Sequence, residues 1–80
     1  MTYVLNPNQQ TIVSGEEGGG TLSITNNNED QDGQYTIAVN DGGAVQHGID
    51  AGTSDNYEVG DGERVKIVNT GQAALEIDFA

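Results

Sequence analysis

The apolar residues of this chain recur at every second position in short runs, and Gly, Asn and Asp clusters break those runs roughly every eight to twelve residues. A period of two belongs to a strand, whose successive side chains leave opposite faces, whereas a helix would repeat at about 3.6. "GTLSITN" sets Leu22 and Ile24 against Ser23 and Thr25, and "QYTIAVN" sets Tyr35, Ile37 and Val39 against Thr36 and Ala38. These two runs are expected to pair as a hairpin. "NYEVGDGERVKIVN" places Tyr57 and Val59, then Val65 and Ile67, on either side of "GDG", and "ALEIDF" alternates Leu75, Ile77 and Phe79 with Glu76 and Asp78. That pattern predicts a second chain of hairpins.

"DGG" at Asp41 to Gly43 offers the positive-φ residues of a tight turn, followed by a weaker strand, "AVQHGI". Near the start, "TYVL" and "QTIVS" read as strands joined by "NPNQ", because Pro7 has no N–H to give a central strand. "DAGTSDN", Asp50 to Asn56, reads as a loop. "GEEGGG", Gly15 to Gly20, is either a flexible loop or a place where the backbone passes close to a partner. "LSITNNN" and "VKIVNTG" echo one another, and two strands ending in similar Asn-initiated turns account for the echo without a duplicated unit.

The expectation is seven to eight short strands and no helix. One polar face per strand means that each sheet is buried on one side, so two sheets pack together or one closes on itself. The predicted fold is therefore a small all-β antiparallel sandwich or barrel, jelly-roll or Ig-like, although the Cys pair and Trp of true Ig domains are absent. Eighty residues make one domain, 1–80, with 1–10 an N-terminal arm or an edge strand.

Composition makes the predicted core thin. There is no Trp, one Phe and three Tyr, so Val, Ile and Leu must fill the interior. Burial in so small a chain barely offsets conformational entropy, and such domains are usually reinforced by disulfides, a metal or partner subunits. The lack of Cys removes the first. No basic start or apolar run marks a signal peptide, and no run is long enough for a transmembrane helix.

Charge narrows the partners. Thirteen acids against two cations, Arg64 and Lys66, give a formal charge of −11. Nucleic acids and anionic membranes would be repelled, whereas basic surfaces and cations would be attracted.

The chemistry on offer is sparse. In "NNNEDQDGQY", Asn28, Asp30, Asp32 and Gly33 follow the spacing of an acidic calcium loop. The position of its closing bidentate Glu is Val39, on an apolar strand face. A plain turn of Asn and Asp, residues that bond their own backbone, is the competing reading. Glu76 and Asp78 would share a strand face about 6.8 Å apart, a spacing open to a glycosidase-like pair but normal for outward alternation. His47 is the single histidine and, without Cys, heads no ordinary zinc site. Ser54, His47 and Asp50 could be drawn as a triad, yet no nucleophile elbow surrounds any serine. Catalysis and nucleotide use are not expected, and no cofactor is expected beyond the calcium reading at Asn28, Asp30 and Asp32.

Three functions remain: a structural, self-associating protein; an acidic decoy that fills a basic protein's nucleic-acid site; and a calcium-dependent binding module. In composition and strand pattern the whole chain resembles the small all-β decoration or cement proteins of tailed-virus particles. That resemblance transfers no site residues. It implies a trimer on the virion surface that binds capsid subunits at symmetry axes and stabilises the shell.

Overall fold

A computed structural model describes residues 2–16 and 18–80; Met1, in the N-terminal stretch, and Glu17, in the Gly-rich segment, lie outside it. The described residues form eight strands: β1 Thr2–Leu5, β2 Gln10–Ser14, β3 Gly20–Thr25, β4 Gly33–Val39, β5 Val45–Ile49, β6 Ser54–Val59, β7 Arg64–Asn69 and β8 Leu75–Phe79. They make two four-stranded antiparallel sheets, β1-β8-β3-β6 and β2-β7-β4-β5. The extents are 37 × 23 × 16 Å. The fold is an all-β sandwich, as the period-two pattern dictates.

The hairpin expectations are corrected. β3 pairs with β6 and β8, β4 pairs with β5 and β7, and neither pairs with the other. β6 and β7 likewise fall in different sheets, as do β7 and β8. Every sequence-adjacent pair except β4 and β5 is split between the two layers. The reason is geometric: apolar faces on neighbouring strands can be buried by passing over the core to the opposite layer as well as by turning back alongside, and alternation alone cannot distinguish the two. The β4–β5 hairpin does form, and of the expected turn residues Asp41 has positive φ, but its partner in that conformation is Asn40 and not Gly42 or Gly43. β6 begins inside the segment read as a loop: Ser54 pairs with Thr25 and Asn56 with Ser23, and both side-chain pairs hydrogen bond at 2.7 Å.

The core is aliphatic and continuous between the layers. Leu22, Ile24, Ile67 and Ile77 are fully shielded, and Tyr35 lies among them. Tyr3, Tyr57 and Phe79 pack partly exposed at its margins.

Two buried amides fasten the crossovers. Asn26 ends the run of β3 and Asn69 ends β7, and both are inaccessible to solvent. Asn26 Nδ2 donates to the carbonyls of Gln31 and Ile49, and its Oδ1 accepts from the Asn28 N–H. Asn69 Nδ2 donates to the carbonyls of Ala73 and Leu5, and its Oδ1 accepts from the Gly71 N–H. The backbones match as well: the Gly52 N–H reaches the Asn26 carbonyl as that of Asn8 reaches Asn69, with φ of 75° and 70°. The sequence echo thus marks an internal pseudo-two-fold. It relates β3 to β7, β5 to β1, and each sheet to the other read backwards.

The Gly-rich segment makes its close approach within the chain. A Cβ on Gly15 would lie 2.2 Å from the Gly60 carbonyl oxygen, and one on Gly19 would lie 2.2 Å from that of Val59. Gly62 N–H bonds the Gly15 carbonyl and Gly15 N–H bonds that of Glu63, which seals the β2–β3 connection against the β6–β7 turn.

Candidate functional site

The strand β7 reads Arg-Val-Lys-Ile-Val-Asn, and alternation sends Val65 and Ile67 inward and Arg64 and Lys66 outward. β7 is an inner strand of its sheet, so Lys66 stands near the middle of the outer face, opposite Ile12 of β2 and Ala38 of β4. No strand residue on this face is acidic. Ile12 is 54 % exposed, a large apolar side chain left in water beside an ammonium. Beyond the end of β4 the left-handed Asn40–Asp41 turn swings Asp41 back, where its carboxylate lies 3.2 Å from the Arg64 guanidinium. Asn40 clamps that turn to β7, accepting from the Arg64 N–H at 2.9 Å. Together these groups line an open groove of about 300 Å³ floored by Thr36, Ala38 and Val68. Among the described residues no acid pairs with Lys66, in a chain with thirteen acids.

The opposite outer face has the contrary character. Glu76 and Asp78 project from β8, an inner strand, and Glu58 from the edge strand β6. Around them runs a hydroxyl and amide ladder in which Thr2 donates to Asp78 and Asn27 to Glu76. Val4, 60 % exposed, pairs across from Glu76. Glu76 is half-buried and borders a shallow depression of about 230 Å³ with Val4, Asn27 and Ala74, whereas Asp78 is exposed and lies outside it.

A third cluster lies inside the sandwich between β5 and β6. The Tyr35 hydroxyl donates to Asp55 Oδ2 at 2.6 Å, which commits its single proton, so the Tyr57 hydroxyl donates to the Tyr35 oxygen. His47 stacks on Tyr35 with ring centroids 5.5 Å apart. Burial, reinforced by the bonds to Asp55 and Tyr57, pushes the Tyr35 phenol far above its ordinary value and keeps it neutral. Every fully buried side-chain nitrogen and oxygen among the described residues has a partner, whereas the half-buried His47 meets Tyr35 and Tyr57 through ring contacts.

The calcium-loop residues Asn28, Asp30 and Asp32 share the β3–β4 crossover. Asn28 is turned to the chain, donating through Nδ2 to Asn26 Oδ1 and the Ala74 carbonyl. Asp32 accepts from the Ala51 N–H at 3.0 Å, and Asp30 is exposed. Val39 lies at the far end of β4, in the register of Tyr35 and Ile37. Among the described residues no three His, Cys, Asp or Glu side chains are placed to hold a metal ion together. Ser54, His47 and Asp50 are likewise not assembled: Ser54 bonds Thr25, and His47 stacks on Tyr35.

No protein-family model matches this chain, and no curated protein matches it. Solved structures do match. A predicted oxalate decarboxylase from Thermotoga maritima is 27 % identical, with a TM-score of 0.63 over 95 % of this chain and 57 % of that one. Drosophila melanogaster CENP-C bound to CAL1 is 15 % identical, with a TM-score of 0.56 over 99 % of this chain and 59 % of that one. The Schizosaccharomyces pombe Cnp3 cupin domain is 13 % identical, with a TM-score of 0.58 over 98 % of this chain and 47 % of that one.

The fold is a jelly roll. This chain spans about half to three-fifths of the length of these three chains. Within the jelly roll the groove was not singled out from sequence, although its signal was present: "RVK" puts both cations of the chain on the polar side of one strand.

Proposed function

We propose that this jelly roll is a non-enzymatic structural and interaction protein, which associates with copies of itself and docks on another protein's surface in the manner of a virion decoration protein. The observation that carries this reading is the outer face of β2-β7-β4-β5. An acid-rich chain gathers both of its cations there, beside an exposed Ile12 and around an open groove. Such a face, with a cation near its centre and an exposed aliphatic side chain beside it, suits contact with another chain better than it suits catalysis. One of the similar structures is that of Drosophila melanogaster CENP-C bound to CAL1. Two measurements test the proposal. Light scattering at micromolar concentration should give a multiple of the 8.4 kDa chain mass. Proteomics should find the chain in fixed copy number on intact virus particles, and a monomer absent from particles overturns the reading.

A further inference from the structure

The two outer faces of the sandwich are complementary copies of one pattern with the charge reversed. On one, Arg64 and Lys66 sit two residues apart on the inner strand β7, and Lys66 is flanked by the exposed Ile12 of an edge strand. On the other, Glu76 and Asp78 sit two residues apart on the inner strand β8, and Glu76 is flanked by the exposed Val4 of an edge strand. Alternate residues of a strand repeat at about 6.8 Å, so the cation pair and the acid pair have the same spacing. We infer that the β2-β7-β4-β5 face of one copy docks on the β1-β8-β3-β6 face of the next, with Lys66 and Arg64 against Glu76 and Asp78 and the two exposed aliphatics brought into contact. The inference rests on the self-association proposed above and names the surfaces that perform it.

Three observations favour a second copy as the occupant. The groove lacks an acid partner for Lys66 among the described residues, while the opposite face supplies acids at the matching repeat. The hydroxyl ladder that holds Asp78 and Glu76 in place presets the acid face, so little ordering remains at contact. A standard interface removes about 800 Å² per partner, close to a sixth of the 4631 Å² surface, which leaves room for both faces to be used at once. Because the contacting surfaces differ, the interface is heterologous and generates a closed ring or an open filament.

Charge exchange tests it. Lys66→Glu leaves both faces acidic and Glu76→Lys leaves both basic at their centres, so each variant alone should associate about tenfold or more weakly than wild type in sedimentation velocity at physiological salt. An equimolar mixture should regain association, since the reversed faces fit each other. Glu76→Lys is the decisive arm, because it lowers the net negative charge and would strengthen association if bulk repulsion alone governed it. The neutral variants Lys66→Gln and Glu76→Gln should weaken association to a smaller degree, and circular dichroism confirms the fold of each. Wild-type oligomers that neither exchange weakens, or that only one weakens, overturn the inference and leave self-association standing. A wild-type chain that is monomeric throughout overturns both.

Discussion

Replacing Asn69 by Ala should be among the most damaging single changes available to this chain. The side chain is wholly buried and makes three hydrogen bonds, two from Nδ2 to the Leu5 and Ala73 carbonyls and one from the Gly71 N–H to Oδ1. Each net bond contributes about 1 kcal/mol, and a buried partner left unsatisfied costs about 1–3 kcal/mol. Alanine abandons all three partners, so a loss of about 3 kcal/mol follows, against a total of roughly 4–12 kcal/mol for a domain of this length. For a domain of this size that loss lowers the Tm by about 12–24 °C. The internal pseudo-two-fold adds a stricter demand: Asn26→Ala, which vacates the equivalent contacts, should cause a similar fall. Calorimetry at one low protein concentration keeps association from shifting the comparison. Asn56→Ala, at an exposed position bonded to Ser23, is the control and should move the Tm little. A shift under about 4 °C for either buried amide would refute the claim that these side chains fasten the crossovers.

Other consequences are open to measurement. Gly19, at φ 82°, would place a Cβ 2.2 Å from the Val59 carbonyl oxygen, so Gly19→Ala should destabilise by about 2 kcal/mol or more, read as a lower urea midpoint with unchanged slope. Tyr35 holds its proton more tightly folded than unfolded, so its contribution is intact below about pH 10 and is lost as pH rises above that value, at about 1.4 kcal/mol per pH unit. Tyr35→Phe should flatten that alkaline decline while lowering stability near neutrality by about 1–2 kcal/mol, and an unaltered decline would assign it to other groups. Asp32→Ala should cost about 1 kcal/mol in chelator as well as in calcium, because its carboxylate holds the Ala51 N–H; destabilisation confined to calcium-containing buffer would point instead to a metal role for Asn28, Asp30 and Asp32.

The strands were legible because alternation and burial are one fact: Leu22, Ile24, Val65, Ile67, Leu75 and Ile77 are buried where the period placed them. Which strands pair was not legible. β3 carries no local signal that its partners are β6 and β8, since pairing is decided by non-local burial and not by the intervening turn. The "SDN" portion of β6 looked like a loop because its ladder partners, Thr25 and Ser23, are also polar; the strand there is held by cross-strand side-chain bonds on an exposed face. Asn26 and Asn69 were visible as an echo, yet only the fold reveals that each amide is buried against a distant carbonyl, at Ile49 and Leu5. The groove was half visible, since strand parity put Arg64 and Lys66 outward, whereas the neighbouring Ile12 and Ala38 depend on sheet order.

Contact between chains through the outer faces of the jelly roll, as proposed above, has a direct spectroscopic signature. Amide chemical shifts compared between roughly 20 µM and 1 mM test it directly, because exchange with an assembled form perturbs the residues in contact. The account predicts concentration-dependent shifts or broadening centred on Ile12 and Lys66 on one face and on Val4, Glu76 and Asp78 on the other. Spectra that superimpose at both concentrations, or changes confined to loops away from these faces, would contradict it.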